Sequence, residues 1–308
     1  MRAFIFPGQG SQAVGMGAAL AGASRAARDV FDEVDETLGQ NLFRLMRDGP
    51  DDELKLTENA QPAIMAHSIA VLRTMGVQLA EVADFVAGHS LGEYSALCAA
   101  GSLDLATTAK LLKLRGQAMQ HAVPVGQGAM AALLGADLAL AQKIAQAAAQ
   151  GEVCTVANDN DPSQVVISGH KGAIDRAIQM AKDMGAKRAL PLPVSAPFHC
   201  PLMRPAAEAM RDALSYVVVE TPAVPVFANV SARPESDPDT IRDQLVEQVT
   251  GMVRWRESIA NMFDAGVHEF VEVGGKVLGA MVKRIAPNAQ VTSVVTIEDV
   301  EALAKEIA

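Results

Sequence analysis

Cysteine is scarce: three in 308 residues, at positions 98, 154 and 200. An odd number at wide spacing fits neither a disulfide framework nor a zinc site, so a reducing, cytoplasmic setting is expected. Positive charge is also short. Twenty-six Lys and Arg against 36 Asp and Glu leave a net charge of −10. That argues against a general nucleic-acid binder, which needs a basic surface to displace phosphate counterions. No apolar run reaches the roughly 18 residues of a membrane-spanning helix. The apolar start of the chain is interrupted at Pro7, too early for a secretory signal.

Apolar residues are plentiful, at 50% of the chain, and this excludes a disordered polymer. The length suits one large domain or a domain carrying an insertion. A short apolar strand over 3–6 runs into the loop Pro7-Gly8-Gln9-Gly10-Ser11-Gln12. Ala27, Val30, Phe31 and Val34 fall at helical spacing within 24–38. A further helix is expected over 59–74, with Pro62 in its first turn. A buried strand over 84–88 leads through a glycine-rich turn into a helix over 94–100, and 105–120 is again helical. This alternation predicts an α/β body with a parallel sheet.

The stretch 126–192 follows a different order. Strands are expected at 129–134, 153–157, 164–168 and 188–192, with helices at 137–150 and 171–184. The polar run Asn158-Asp159-Asn160-Asp161-Pro162-Ser163 reads as the turn between the middle strands. The order βαββαβ is the ferredoxin-like pattern. The expectation is therefore a ferredoxin-like subdomain over 125–193 inserted in a body formed by 1–124 and 194–308. Beyond it, strands are expected at 225–229, 269–273 and 291–295, and helices at 239–248 and 255–265.

The strongest chemical signal is Gly88-His89-Ser90-Leu91-Gly92. It matches G-x-S-x-G between a strand and a helix, where a sharp turn exposes a serine hydroxyl. Backbone N–H groups at the helix start suit a developing oxyanion. Such a serine needs a base. Of six histidines, His199 is favoured, because the loop Ser195-Ala196-Pro197-Phe198-His199-Cys200-Pro201 lies where the chain re-enters the body. His89 adjoins the serine but should point away from it. No single carboxylate stands out to orient the imidazole; Gln248, Asn160 or a backbone carbonyl are alternatives. Gly8-Gln9-Gly10-Ser11-Gln12-Ala13 matches the dinucleotide fingerprint G-x-G-x-x-A. The acidic residues near the required distance, Asp29, Asp32 and Glu33, follow no strand, so that use is rejected. The Gln9 backbone N–H is instead a candidate second oxyanion donor. Arg115, in an apolar helix, reads locally as a snorkelling arginine.

Six ordered motifs carry a resemblance over nearly the whole chain. They are Phe6-Pro7-Gly8-Gln9-Gly10-Ser11-Gln12, Ala60-Gln61-Pro62-Ala63, Gly88-His89-Ser90-Leu91-Gly92-Glu93-Tyr94, Arg115-Gly116 with Met119-Gln120, Ala157-Asn158 through Gly169, and Ala196-Pro197-Phe198-His199. Together they resemble the malonyl-coenzyme A:acyl carrier protein transacylase family. The resemblance implies an α/β-hydrolase-like body with an inserted ferredoxin-like subdomain. It implies Ser90 as the acylated nucleophile, His199 as base, Gln9 and Leu91 as oxyanion donors, and the Gln248 carbonyl as the group orienting His199. It implies that Arg115 pairs with the malonyl carboxylate, which reverses its local reading. Phe198 is expected to crowd the acyl α-carbon, and Asn160 is grouped with the substrate-binding residues. No metal or redox cofactor is implied; the coenzyme A thioester and the carrier's phosphopantetheine arm are substrates, in service of fatty acid synthesis. A trans-acting polyketide acyltransferase, a serine hydrolase and a non-catalytic acyl-binding module are the rival readings. One departure is visible. Gly274-Gly275 before Lys276-Val277-Leu278 is one residue shorter than the family's Gly-Pro-Gly.

Overall fold

The computed structural model describes residues 1–194 and 196–307; Ser195, in the loop before His199, lies outside them. Among the described residues, ten strands form two sheets. They are β1 Arg2–Phe6, β2 Phe85–Gly88, β3 Gly128–Leu134, β4 Cys154–Asp161, β5 Gln164–His170, β6 Arg188–Pro191, β7 Val226–Phe227, β8 Pro234–Glu235, β9 Glu269–Val273 and β10 Gln290–Val294. The larger sheet has the order β10-β9-β1-β2-β7-β8. Its first five strands are parallel, and β8 returns antiparallel to β7. Strand β1 is central, and Ala3, Phe4, Ile5 and Phe6 are all fully buried. A continuous apolar run is what a strand covered on both faces requires.

Register places the functional loops. Phe6 lies opposite Gly88, and Ala87 lies opposite Phe227. The loops after β1, β2 and β7 therefore leave the same edge side by side, at the carboxyl ends of the strands, where open α/β sheets bind ligands.

The smaller sheet is antiparallel, with the order β4-β5-β3-β6. Alternation along β3 divides its side chains. Ala131 and Leu133 join Ile144, Ala148, Ile174 and Ala177 from the helices Leu138–Ala149 and Lys171–Ala181. Met130 and Ala132 point the other way, into the main core.

Three expectations change. The helix expected from 59 spans Thr57–Met75, so Pro62 sits inside it rather than in the first turn. The elbow helix starts at Leu91, directly after the serine, rather than at Tyr94. The expected turn over 158–163 is mostly strand. Strand β4 continues to Asp161 through two irregularities, and only Pro162 and Ser163 remain to turn the hairpin. Its polar residues lie against the main body: Asp159 accepts from Arg256 at 2.9 and 3.0 Å, and Asp161 from Arg284 at 2.6 Å. Asn158 also bridges to Val253. Remote partners satisfy this polar segment, so it need not be a solvated turn.

Candidate active site

Close packing builds the turn at Ser90. A Cβ on Gly88 would come within 1.9 Å of the Gly92 backbone, and one on Gly92 within 2.3 Å of the Phe6 carbonyl oxygen. With no side chain at either position, β2 passes directly into the helix Leu91–Ala99. Ser90 itself has φ 54 and ψ −111, a costly conformation for a non-glycine residue. Asn229, just beyond β7, braces the turn. Its Nδ2 donates to the Gly88 carbonyl at 2.7 Å, and its Oδ1 accepts from the Ser90 N–H at 2.8 Å.

The expected base is in place. Ser90 Oγ lies 2.8 Å from His199 Nε2, and His199 Nδ1 lies 2.9 Å from the Gln248 carbonyl oxygen. A carbonyl only accepts, so Nδ1 carries the proton and Nε2 presents its lone pair to the serine hydroxyl. A backbone carbonyl thus stands where many such sites use a carboxylate. Burial, and then the neighbouring positive charge of Arg115, pull the His199 pKa down to about 3. The imidazole is therefore neutral at neutral pH, with Nε2 free to act as the base.

Arg115 is not a snorkelling residue. It is 1% exposed. Its Nη1 donates to Gln61 Oε1 at 2.8 Å; its Nη2 donates to Gln248 Oε1 at 2.9 Å and to Ser90 Oγ at 3.1 Å. Its Nε has no hydrogen-bond partner among the described residues. Among the described residues no carboxylate forms an ion pair with it. Burying a guanidinium without one is costly, and here the group stands beside an open cavity of about 500 Å³.

That cavity has an amphipathic lining. Ser90, His199, Arg115, Gln9 and Leu91 provide its polar and backbone groups, and Met119, Met130 and Phe198 its apolar wall. Leu91 is the first residue of its helix, where N–H groups have no partner within the helix. A larger groove, of about 1070 Å³, lies near the helices Arg204–Ser215 and Pro238–Thr250. None of the proposed catalytic residues lines it.

Two sequence assignments shift. Asn160 is outside the cavity lining; its Oδ1 accepts from His89 Nε2 at 2.8 Å, and Asn158 lines the cavity instead. Gln248 does more than present its carbonyl. Its side-chain Nε2 donates to the Ser90 carbonyl at 3.0 Å and to Glu93 Oε2 at 2.9 Å. His89 turns away from the Ser90 hydroxyl, as its neighbouring position suggested, with its ring against Trp255. His67 and His121 bond to backbone carbonyls, His170 accepts from the Val153 N–H, and His268 packs edge-on against Phe263.

Sequence reasoning missed Gln61, Glu93 and Asn229. The first two lie inside quoted motifs, but only the fold reveals their partners. Asn229 ends an expected strand, and the carboxyl-end rule was the one signal available for it.

The site is thus a serine hydroxyl held on a neutral histidine at the carboxyl edge of a parallel sheet, with a buried cation alongside: the constitution of an acyl-transfer centre. The family described as acyl transferase domain matches residues 3–296, and the chain belongs to that family. It is 47% identical over 284 residues to the malonyl CoA-acyl carrier protein transacylase of Escherichia coli strain K12, covering 92% of each chain. It is 50% identical to the crystal structure of the acyl-carrier-protein S-malonyltransferase from Bartonella henselae, with a TM-score of 0.97 and 99% of each chain covered. A malonyl-transacylase solved in complex with a type II polyketide synthase acyl-carrier protein is 40% identical, with a TM-score of 0.96 and 99% of each chain covered.

Proposed function

We propose that the chain transfers the malonyl group from malonyl-CoA to the phosphopantetheine thiol of an acyl carrier protein, in the cytoplasm, for fatty acid synthesis. His199 takes the Ser90 proton as Oγ bonds to the thioester carbonyl carbon. The oxyanion is held by the N–H groups of Leu91 and Gln9. As the carbon–sulfur bond breaks, His199 returns the proton to the coenzyme A sulfur, leaving a malonyl-serine ester. In the second half-reaction the carrier thiol gives its proton to His199 and attacks the ester; Ser90 then recovers a proton from His199. The carboxylate at the far end of the acyl group pairs with Arg115, and Phe198 restricts the α-carbon. The chemistry asks for no metal or redox cofactor.

One observation carries this reading: a buried guanidinium, with no carboxylate paired to it among the described residues, hydrogen-bonded to the candidate nucleophile. A neutral acyl group gives such a cation nothing to bind, whereas a dicarboxylic half-thioester brings a carboxylate into direct contact, which Glu93 reaches only through Gln248. The residue division is part of the same proposal: an α/β-hydrolase-like body, 1–124 and 194–308, with a ferredoxin-like subdomain, 125–193. The strand order β4-β5-β3-β6 supports the second term. The neighbour bound to a polyketide carrier favours a second reading, in which the acceptor is a polyketide carrier protein. Transfer rates to each carrier separate the two.

The test is intact-protein mass spectrometry after mixing with malonyl-CoA. Wild type should gain one malonyl group and pass it to a carrier, and Ser90→Ala should gain none. An adduct that forms on Ser90→Ala, or one lost to water as fast with no carrier present, would overturn the proposal.

A further inference from the structure

Glu93 lies one turn beyond the nucleophile on the elbow helix and is 2% exposed. The reaction scheme gives it no task. A single oxygen, Oε2, accepts both of its hydrogen bonds: from the Asn229 N–H at 2.9 Å and from Gln248 Nε2 at 2.9 Å. Each partner reaches onward into the site. Asn229 holds the Ser90 N–H. Gln248 presents Oε1 to Arg115 and its backbone carbonyl to His199.

The donor and acceptor chemistry makes this chain directional. A guanidinium only donates, and an ionised carboxylate only accepts. An amide placed between the two has one orientation that satisfies both: nitrogen toward Glu93, oxygen toward Arg115. If the amide turned over, it would set N–H against N–H on one side and oxygen against oxygen on the other. Burial raises the Glu93 pKa to about 7. A protonated carboxyl still offers its carbonyl oxygen as acceptor.

We infer that Glu93 is a positioning residue for acyl-group selection: it locks the Gln248 amide so that its oxygen holds the Arg115 guanidinium aimed at the acyl cavity. Glu93 touches neither substrate nor the reacting atoms. Its effect through Gln248 falls on recognition of the substrate carboxylate, whereas any effect through Asn229 on the Ser90 turn falls on all thioesters alike, so the ratio between thioesters isolates the first. The backbone carbonyl that orients His199 does not depend on how the Gln248 side chain is turned. Glu93→Gln keeps the lock, because one carbonyl oxygen can take the position of Oε2 and accept from both donors. Glu93→Leu weakens it: the Asn229 N–H loses its acceptor, and Gln248 Nε2 keeps only the Ser90 carbonyl at 3.0 Å and Asn229 Oδ1 at 3.3 Å. Glu93→Asp keeps the charge but withdraws it by one methylene.

This inference rests on the malonyl-transfer reading, and wild-type loading at Ser90 is measured first to test that reading alone. The inference is then judged on the ratio of malonyl-CoA to acetyl-CoA loading, each as kcat/KM. Losing a hydrogen bond to a charged group should cost Glu93→Leu roughly 10- to 100-fold with malonyl-CoA, mostly through KM. Acetyl-CoA loading should change by less than about threefold, within the span of a lost neutral contact. Glu93→Gln should recover most of the malonyl loss. If Glu93→Leu does not fold, Glu93→Asp should show the same malonyl-selective loss at smaller size. Equal losses with both thioesters, or Glu93→Leu or Glu93→Asp folding with an unchanged ratio, would overturn the assignment.

Discussion

The elbow at 88–92 and the strand at 154–161 both bring polar residues into the interior, yet they are built on opposite principles. The elbow is specified locally. Its two glycines sit where any side chain would strike backbone 1.9 to 2.3 Å away, so the residue pattern itself records the turn. Strand β4 is specified remotely. Asn160 meets His89, Asp159 meets Arg256 and Asp161 meets Arg284, partners 71, 97 and 123 residues away in sequence. A steric constraint among neighbours is legible in a sequence, whereas polar groups satisfied at long range look like a surface turn until the fold is known.

Removing the elbow's partner should give the largest effect. His199→Ala should slow both half-reactions by roughly 10²–10⁴-fold, the usual worth of a positioned base. Single-turnover loading and transfer rates measure it. An unchanged loading rate would move the base to another residue and leave the elbow as a structural turn.

The strand should respond in stability rather than in chemistry. Asp161 is fully buried and Arg284 is half exposed. Arg284→Ala leaves the carboxylate with Ser163 as its remaining hydrogen-bond partner. A loss of about 1–3 kcal/mol is expected, the cost of an incompletely satisfied buried group. Urea unfolding measures it, and no change in midpoint would mean that the ion pair contributes nothing to the seam.

The same contrast accounts for what was legible in the candidate site. Ser90 and His199 stand in short motifs with local geometry, and both are where the sequence reading put them. Leu91 and Gln9 line the same cavity. Arg115 read locally as a surface residue, because a lone arginine in an apolar helix carries no record of Gln61 or Gln248. Asn160 bonds to His89 rather than lining the cavity, and that partner, distant in the chain, left no local record either. The parallel strands were expected from the sequence; β1 and β2 are legible as buried apolar runs, whereas β10 is mostly half-buried. Two-residue β8 and the helices Leu42–Asp48, Arg204–Ser215 and Leu278–Ile285 were not drawn from the sequence. The shortened Gly274-Gly275 loop is closed by Glu272, whose carboxylate accepts from the N–H groups of Val277, Leu278 and Gly279.

A smaller effect sharpens the electrostatics of the elbow. With the His199 pKa near 3, malonyl loading should show no histidine inflection near pH 6.5; the base is lost only as pH falls toward 3. Stability follows the same sign. The unfolded chain takes up this proton first, so the contribution present above about pH 6.5 is lost progressively below it. The pH profile of loading should be taken in wild type and in Glu93→Gln, because the Glu93 carboxyl titrates at about 7. An inflection near 6.5 that survives Glu93→Gln would contradict the assignment of a neutral, buried base.

The most direct test compares malonyl-CoA and acetyl-CoA loading in wild type, Arg115→Ala and Arg115→Lys. Removing one partner of a desolvated charge pair costs about 2–5 kcal/mol, so Arg115→Ala should lower kcat/KM for malonyl-CoA by roughly 30- to several-thousand-fold. Acetyl-CoA loading should fall little or improve, since no unpaired guanidinium then remains buried. Arg115→Lys should recover only part of the malonyl rate, because a point charge lacks the two-pronged geometry. Equal losses for the two thioesters would contradict the account and make Arg115 a structural residue.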